Sequence, residues 1–131
     1  MTCKIVTYNP QKPVNADFYI QSKGNHAGRP LEKPKPNCFA VYTDQSYLFE
    51  LVYSLYLAKA FDYYIIGSVI PFIRLPDVKK VIAAGVENFK PERLKYLKMI
   101  ENVDRSLKQQ EEHTAKLKEL KIALALSIIK V

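Results

Sequence analysis

The first third of the chain carries apolar and polar residues in the pattern of short β-strands. Residues 4–8, 17–21 and 38–42 are runs of β-branched and aromatic residues, in places alternating with polar ones. The segments between them are rich in Pro, Asn and Gly, which favour turns and loops. The sequence therefore predicts three strands, with a long irregular loop over residues 22–37.

The middle of the chain changes to a helical period. Thr43 or Asp44 suits the N-cap of a helix, and apolar residues recur every three or four positions over residues 45–60. The predicted buried face consists of Leu48, Leu51, Val52, Leu55 and Ala58.

An apolar run over residues 61–66 and the pair Gly67-Ser68 lead into residues 69–73, which predict a buried strand. Pro71 favours a sheet edge or a bulge for that strand. Pro76-Asp77 then predicts the start of a short helix that ends at Gly85.

The last third predicts one long helix. Pro91 suits its first position, Glu92 its first turn, and neither Pro nor Gly follows. Continuous helix to the last residue would be roughly 60 Å long, about twice the width of a head of this size. With Ile100 at heptad position a, the a and d positions are mostly apolar: Ile100, Val103, Leu107, Gln110, Thr114, Leu117, Lys121, Leu124, Ile128 and Val131.

This heptad pattern predicts pairing with a second helix, either in a homodimer or with a coiled-coil protein partner. The alternative is a helix that folds back over its own head. The predicted fold class is α+β: a compact head over residues 1–88, with a small mixed β-sheet and one or two helices. A long coiled-coil-type helix over residues 89–131 completes the same single domain.

The charge balance adds a candidate partner. Lys and Arg number 20 against 13 Asp and Glu, which gives a net charge of +7. The excess lies in residues 1–42 and 90–131 and favours a polyanionic partner such as nucleic acid. No apolar run approaches the ~20 residues of a membrane span, and the first residues lack the pattern of a signal peptide. We therefore expect a cytoplasmic protein that binds no membrane, with Cys3 and Cys38 as free thiols.

The usual signatures of catalysis are not found in the sequence. His26 and His113 lie at no metal-ligand spacing from a Cys or carboxylate, and no phosphate-binding Gly loop or nucleophile elbow occurs. We therefore expect neither enzymatic activity nor a cofactor or metal ion.

The long loop holds the candidate DNA-binding residues. The segment around Gly24 and Gly28 carries side chains that are suited to contacts with phosphates and base edges, and two further lysines follow it. Ser68 could offer its hydroxyl to a phosphate, and Arg74 follows the predicted strand. The full set is Lys23, Asn25, His26, Arg29, Lys33, Lys35, Ser68 and Arg74. The alternative is a solvated surface loop without a ligand.

The order of these features resembles one half of a type I restriction–modification specificity subunit. The shared pieces are the Gly loop at 22–28, the turn and strand at 67–73, and Leu117-Lys118-Glu119-Leu120-Lys121. The resemblance implies a target recognition domain that reads DNA and a long helix that packs on its counterpart as a coiled-coil spacer. Specificity subunits carry two of each, whereas this chain carries one, so a homodimer would restore the two-fold arrangement.

The chain is also similar, more closely, to a family of small uncharacterised bacterial proteins. The shared motifs are Ser22–Leu31, Pro34–Phe39 and Gly67–Arg74. The leading hypothesis is a dimeric, non-catalytic, DNA-binding module related to specificity subunits. It would dimerise through Ile100, Val103, Leu107, Leu117, Leu124 and Ile128. The alternative is a protein–protein interaction adaptor or inhibitor that uses the C-terminal helix and does not contact DNA.

Overall fold

A computed structural model describes residues 3–130, and contacts within the chain divide it after Leu94 into a head and a helix. The predicted α+β class with a long C-terminal helix is confirmed. Val131, the last predicted heptad position, lies outside the described residues. The elements of the head are β1 (Cys3–Thr7), β2 (Phe18–Gln21), β3 (Pro30–Leu31), β4 (Cys38–Thr43), α1 (Leu48–Leu57) and α2 (Leu75–Glu87).

The four strands form one sheet in the order β1-β4-β2-β3. Every pair is antiparallel, whereas the sequence predicted a mixed sheet. Parallel neighbours need a long crossover, usually a helix, and no helix lies between β1 and β4. The register places Ile5 opposite Val41, Phe18 opposite Val41 on the other side, and Tyr19 opposite Leu31. The short strand β3 lies inside the segment that was predicted to be an irregular loop.

The main core lies between one face of the sheet and the two helices. Since side chains alternate across a strand, alternate strand residues supply this face. The sheet contributes Ile5, Phe18, Ile20, Phe39 and Val41; the helices contribute Leu48, Leu51, Val52, Val78, Val81 and Ile82. A smaller cluster on the opposite face is formed by Tyr19, Cys38 and Ala40.

The start of α1 differs from the prediction. Helix α1 begins at Leu48, and its N-cap Tyr47 makes no side-chain cap. Thr43, a predicted cap, instead accepts a hydrogen bond at Oγ1 from the Gln45 backbone N–H, 3.0 Å away. This local bond stabilises a turn before the helix, as hydroxyl side chains commonly do.

The predicted buried strand over residues 69–73 is wrong. Val69 is 90% exposed and Ile70 60% exposed, while Ile73 is buried at 2%. Phe72 makes isolated bridges to Ile66 and Lys23. Because Gly67 has φ +104°, the chain turns tightly there and leaves the apolar residues at the tip of the turn in solvent.

Helix α2 continues through Gly85, although the sequence predicted that it ends there. A Cβ atom at Gly85 would lie 2.9 Å from Leu55 Cδ1 of α1. The missing side chain therefore lets the two helices approach closely, and the glycine does not terminate the helix.

The helix α3 (Leu94–Ile129) follows a 3₁₀ turn over Pro91–Arg93. It has 36 residues and runs without interruption, as the absence of Pro and Gly predicted. At 1.5 Å per residue it is about 54 Å long. Within residues 3–130, no helix is both long and apolar enough to span a membrane.

Candidate nucleic-acid interface and association helix

The loop that holds four of the eight candidate DNA-binding residues is a compact connection between β2 and β3. The Gln21 N–H donates to the Arg29 carbonyl at 2.9 Å, and the Gly28 N–H donates to the Gln21 carbonyl at 2.8 Å. Inside the loop, the Arg29 N–H donates to the His26 carbonyl at 3.0 Å. These bonds give the loop a defined backbone, so its side chains are displayed from a fixed scaffold.

The two glycines of this loop have structural roles. Gly24 has φ +97° and Gly28 has φ +95°, a region that L side chains rarely adopt. A Cβ atom at Gly28 would lie 2.9 Å from the ring of Phe61, which is only 1% exposed. The backbone conformation of the turn and the packing against Phe61 therefore both require glycine at position 28.

The structure joins the two segments that the sequence singled out separately. The Gly24 N–H donates to the Pro71 carbonyl at 2.8 Å, and the Ile73 N–H donates to the Ser22 carbonyl at 2.9 Å. The turn around Ser68 is therefore attached directly to the loop at residues 22–24. Ser68 itself is exposed.

Several candidate side chains are already held by other groups. His26 Nδ1 lies 2.9 Å from the Tyr56 hydroxyl. Arg29 donates to Gln21 Oε1 at 3.4 Å, and its Nε is buried without a hydrogen-bond partner. Arg74 Nε pairs with Asp77 Oδ2 at 3.2 Å, although the Arg74 side chain is 63% exposed. Arg29 is therefore the candidate least able to reach a base edge.

The remaining candidate side chains of the loop between β2 and β4 are exposed to solvent. Lys23, Asn25, Lys33 and Lys35 are all exposed. Lysine is a compact, mobile positive charge that suits phosphate, whereas a bidentate arginine is the commonest reader of guanine. If this loop contacts DNA, its exposed lysines suit the phosphate backbone better than the base edges.

An aromatic cluster lies on the sheet face opposite the helices and was not predicted from the sequence. Tyr8 and Tyr19 pack edge to face with ring centroids 5.6 Å apart. Lys4 Nζ lies 6.0 Å from the centroid of the Tyr42 ring. The alternation in residues 4–8 was the available signal for this face. The Tyr19 hydroxyl donates to the Val14 carbonyl at 2.8 Å, so the preceding loop covers part of the face.

Both cysteines are free, as predicted. Burial, and then the nearby Asp44 carboxylate, raise the pKa of the Cys3 thiol. Burial also raises the pKa of the Cys38 thiol, although a backbone hydrogen bond at Lys35 opposes the shift. Across residues 3–130, no group of three or more His, Cys, Asp and Glu could hold a metal ion.

A groove of about 490 Å³ lies between the outer strand and α2. It is lined by residues 3–6 together with Lys79, Ile82 and Ala83. None of the candidate DNA-binding residues lines it. The lining includes no histidine or carboxylate side chain for general acid–base chemistry.

The helix α3 exposes the predicted apolar stripe. Ile100 is half-buried, and the other predicted dimer residues are between 51% and 84% exposed: Val103, Leu107, Leu117, Leu124 and Ile128. The three polar heptad positions, Gln110, Thr114 and Lys121, are exposed as well. Near its C-terminal end, α3 exposes a second, shorter apolar stripe outside the heptad a and d positions: Ile122, Leu126 and Ile129. With 3.6 residues per turn, this second stripe lies on the opposite side of α3 from the heptad stripe.

Comparison with known families decides the membership of the chain. The model of DUF6943, a family of unknown function, matches residues 5–127. The chain belongs to DUF6943. The DUF6943 match includes both the head and nearly all of α3, so the long helix is part of what defines the match. No curated protein and no solved structure matches the chain, and the resemblance to restriction–modification specificity subunits stays a prediction.

Proposed function

We propose that this DUF6943 protein is a non-catalytic DNA-binding module that acts as a homodimer. In this proposal α3 associates the two copies, and the basic loop of each head contacts DNA. The observation that carries it is the exposed heptad stripe of α3 in a chain with a basic excess. The two-fold arrangement would favour a bipartite DNA site, in line with the resemblance to specificity subunits.

The apolar stripe supports association because a partner helix would remove its exposed a and d side chains from water. Val103, Leu107, Leu117, Leu124 and Ile128 all face solvent in the single chain. Full burial of one such side chain contributes about 1.5–3 kcal/mol relative to exposure. Contiguous exposed apolar surface of this kind marks interaction sites in soluble proteins.

The basic loop supports the choice of DNA. Lys23, Lys33 and Lys35 are exposed, and the backbone at residue 23 is held by the hydrogen bonds of its neighbours. Each lysine that neutralises a phosphate releases condensed counterions, which gives affinity at low salt without reading sequence. A dimer doubles the number of such contacts on one duplex.

A pair of matched helix variants tests this proposal. Leu107→Asp, Leu117→Asp and Leu124→Asp together place charges at the heptad core, so the protein should sediment as a monomer. Head folding, followed by the near-ultraviolet circular dichroism of its tyrosines, should not change. Loss of the second head should weaken binding to a long duplex by about a hundredfold, as expected for a lost bivalent contact.

The control variant carries Ile122→Asp, Leu126→Asp and Ile129→Asp, three apolar-to-Asp changes on the opposite side of α3. It should stay dimeric and bind DNA as the wild type does. A wild-type protein that is monomeric at high concentration, or a heptad variant that keeps full DNA affinity, would contradict the proposal.

The second stripe favours a second candidate function, a protein–protein adaptor or inhibitor. A two-stranded pair buries one side of each helix, so Ile122, Leu126 and Ile129 would remain exposed in the dimer. Residues on that side could dock another protein. If a protein partner is lost from the control variant and the wild type does not bind DNA, the adaptor replaces the DNA-binding proposal.

A further inference from the structure

We infer that a second copy of this chain pairs with α3 in the antiparallel orientation, in a single register set by four polar residues. The residues are Gln110, Glu111, Lys118 and Lys121, all exposed on α3. The inference rests on the homodimer of the proposed function and specifies its geometry.

A parallel, in-register pair is disfavoured by its core and its flanks. Each a or d residue would face its own copy, so Lys121 would lie against Lys121 inside the seam. At the flanking e and g positions, Glu111 would lie beside Ser106, and Lys118 beside His113. No attractive charge pair forms in this orientation.

An antiparallel pair can match the polar core residues Gln110 and Lys121 with each other. Each a residue then lies level with a d residue of the other copy. One register places Val103 level with Ile128 and Leu107 level with Leu124. The same register places Gln110 level with Lys121, so the lysine ammonium meets an amide oxygen and not a second ammonium.

The flanking charges agree with the same register. In an antiparallel pair, e positions lie beside e positions of the other copy. Glu111 then neighbours Lys118, and two-fold symmetry produces this opposite-charge pair twice. Charges at these positions set partner choice and orientation in coiled coils. Core and flanks therefore select the same alignment independently.

Neighbouring registers lose this agreement. A shift of one heptad in one direction places Glu111 against its own copy and Lys121 level with Val103. A shift in the other direction places Lys118 against its own copy and Gln110 level with Ile128. Like charges in direct apposition disfavour both alternatives.

The orientation sets how far apart the helices begin. With the two-fold axis between Ala115 and Lys116, the two copies of Leu94 lie about 65 Å apart along the axis, at 1.5 Å per residue. A parallel pair would place them side by side.

Disulfide cross-linking of the full chain tests the orientation and the register. Three variants are oxidised under identical conditions: Leu107→Cys, Leu124→Cys, and the two changes combined. The combined variant should become a covalent dimer on a non-reducing gel, while each single variant should not, because each residue is about 25 Å from its own copy along the axis. The wild type, with half-buried Cys3 and buried Cys38, controls for the native thiols.

A register control combines Ile100→Cys with Leu124→Cys, which are level only after the shift by one heptad that brings Glu111 against itself. This variant should not cross-link. Cross-linking of the single variants would show a parallel dimer and overturn the inference while the homodimer stands. Cross-linking of the register control, or none in a protein that sediments as a dimer, would overturn the register. A protein that sediments as a monomer would overturn the inference and the proposed homodimer together.

Discussion

Replacement of Gly28 by alanine tests whether the loop glycines serve the core of the head. Gly28 has φ +95°, and an added Cβ would lie 2.9 Å from Phe61 Cδ2 and 3.0 Å from Cγ. Left-handed backbone costs a non-glycine residue about 1–2 kcal/mol, and overpacking of a dense core costs about 1–3 kcal/mol. Reduced freedom of the unfolded chain offsets about 0.5 kcal/mol of this. The free energy of unfolding should therefore fall by about 3 kcal/mol.

Gly24→Ala is the matched control for this change. Its φ of +97° imposes the same backbone strain, but its added Cβ would meet only Gln21 Nε2, at 3.3 Å, the end of a flexible side chain. The expected loss is about 1 kcal/mol. Urea unfolding followed by tyrosine fluorescence measures the free energy of unfolding of both variants, and thermal unfolding measures their Tm. At about 4–8 °C for each kcal/mol in a head of this size, the two variants should differ in Tm by at least about 8 °C.

Equal destabilisation of the two variants would refute the packing argument. A double-mutant cycle with Phe61→Leu locates the effect further. If the Phe61 ring causes the difference, Gly28→Ala should destabilise less in the Phe61→Leu background. Simple additivity of the two changes would place the cost elsewhere.

Two further predictions concern charges and thiols. Glu111→Lys and Lys118→Glu should each weaken the antiparallel dimer by about tenfold, because each change makes two attractive pairs repulsive. The two changes together restore opposite charges and should restore wild-type sedimentation. A double variant that stays weakened would count against this pairing. Because burial raises the pKa of the Cys3 and Cys38 thiols, both should react with a thiol reagent at pH 8 more slowly in the native protein than in urea. As pH rises, the thiols ionise in the unfolded chain before they ionise in the folded protein. The stabilisation that comes from the two protonated, buried thiols is therefore complete below the ordinary thiol pKa and is lost as pH rises through the raised pKa. A free energy of unfolding that increases with pH in this range would contradict the shift.

Local periodicity predicted the elements that depend on neighbours in sequence. The helical spacing predicted Leu48, Leu51, Val52, Leu55 and Ala58 as the buried face of α1. The first three are buried and Leu55 is half-buried, whereas Ala58 lies just past the end of the helix and is exposed. The heptad stripe and the absence of Pro and Gly predicted α3. In both cases the period of the helix is itself the signal.

Features set by distant contacts could not be predicted in this way. Gly28 meets Phe61, and Gly85 meets Leu55, each more than 25 positions away in sequence. Val69 and Ile70 are apolar yet exposed, because their position is set by the turn at Gly67 and its bonds to the loop at residues 22–24.

The candidate site shows the same division. The sequence shows directly which lysines lie in the loop, and Lys23, Lys33 and Lys35 are exposed, as contact with DNA would require. Sequence alone could not show that Arg29 bonds to Gln21 or that His26 meets Tyr56, since those partners come from other parts of the fold.

The most direct test of the central proposal is binding to random-sequence duplex DNA across a salt series, with the oligomeric state measured alongside. Contacts from Lys23, Lys33 and Lys35 in two copies predict a slope of about −5 in log affinity against log salt concentration. Their replacement by alanine should make the slope nearly flat. A dimer whose affinity for DNA is negligible even at low salt would contradict DNA binding and leave the adaptor as the function.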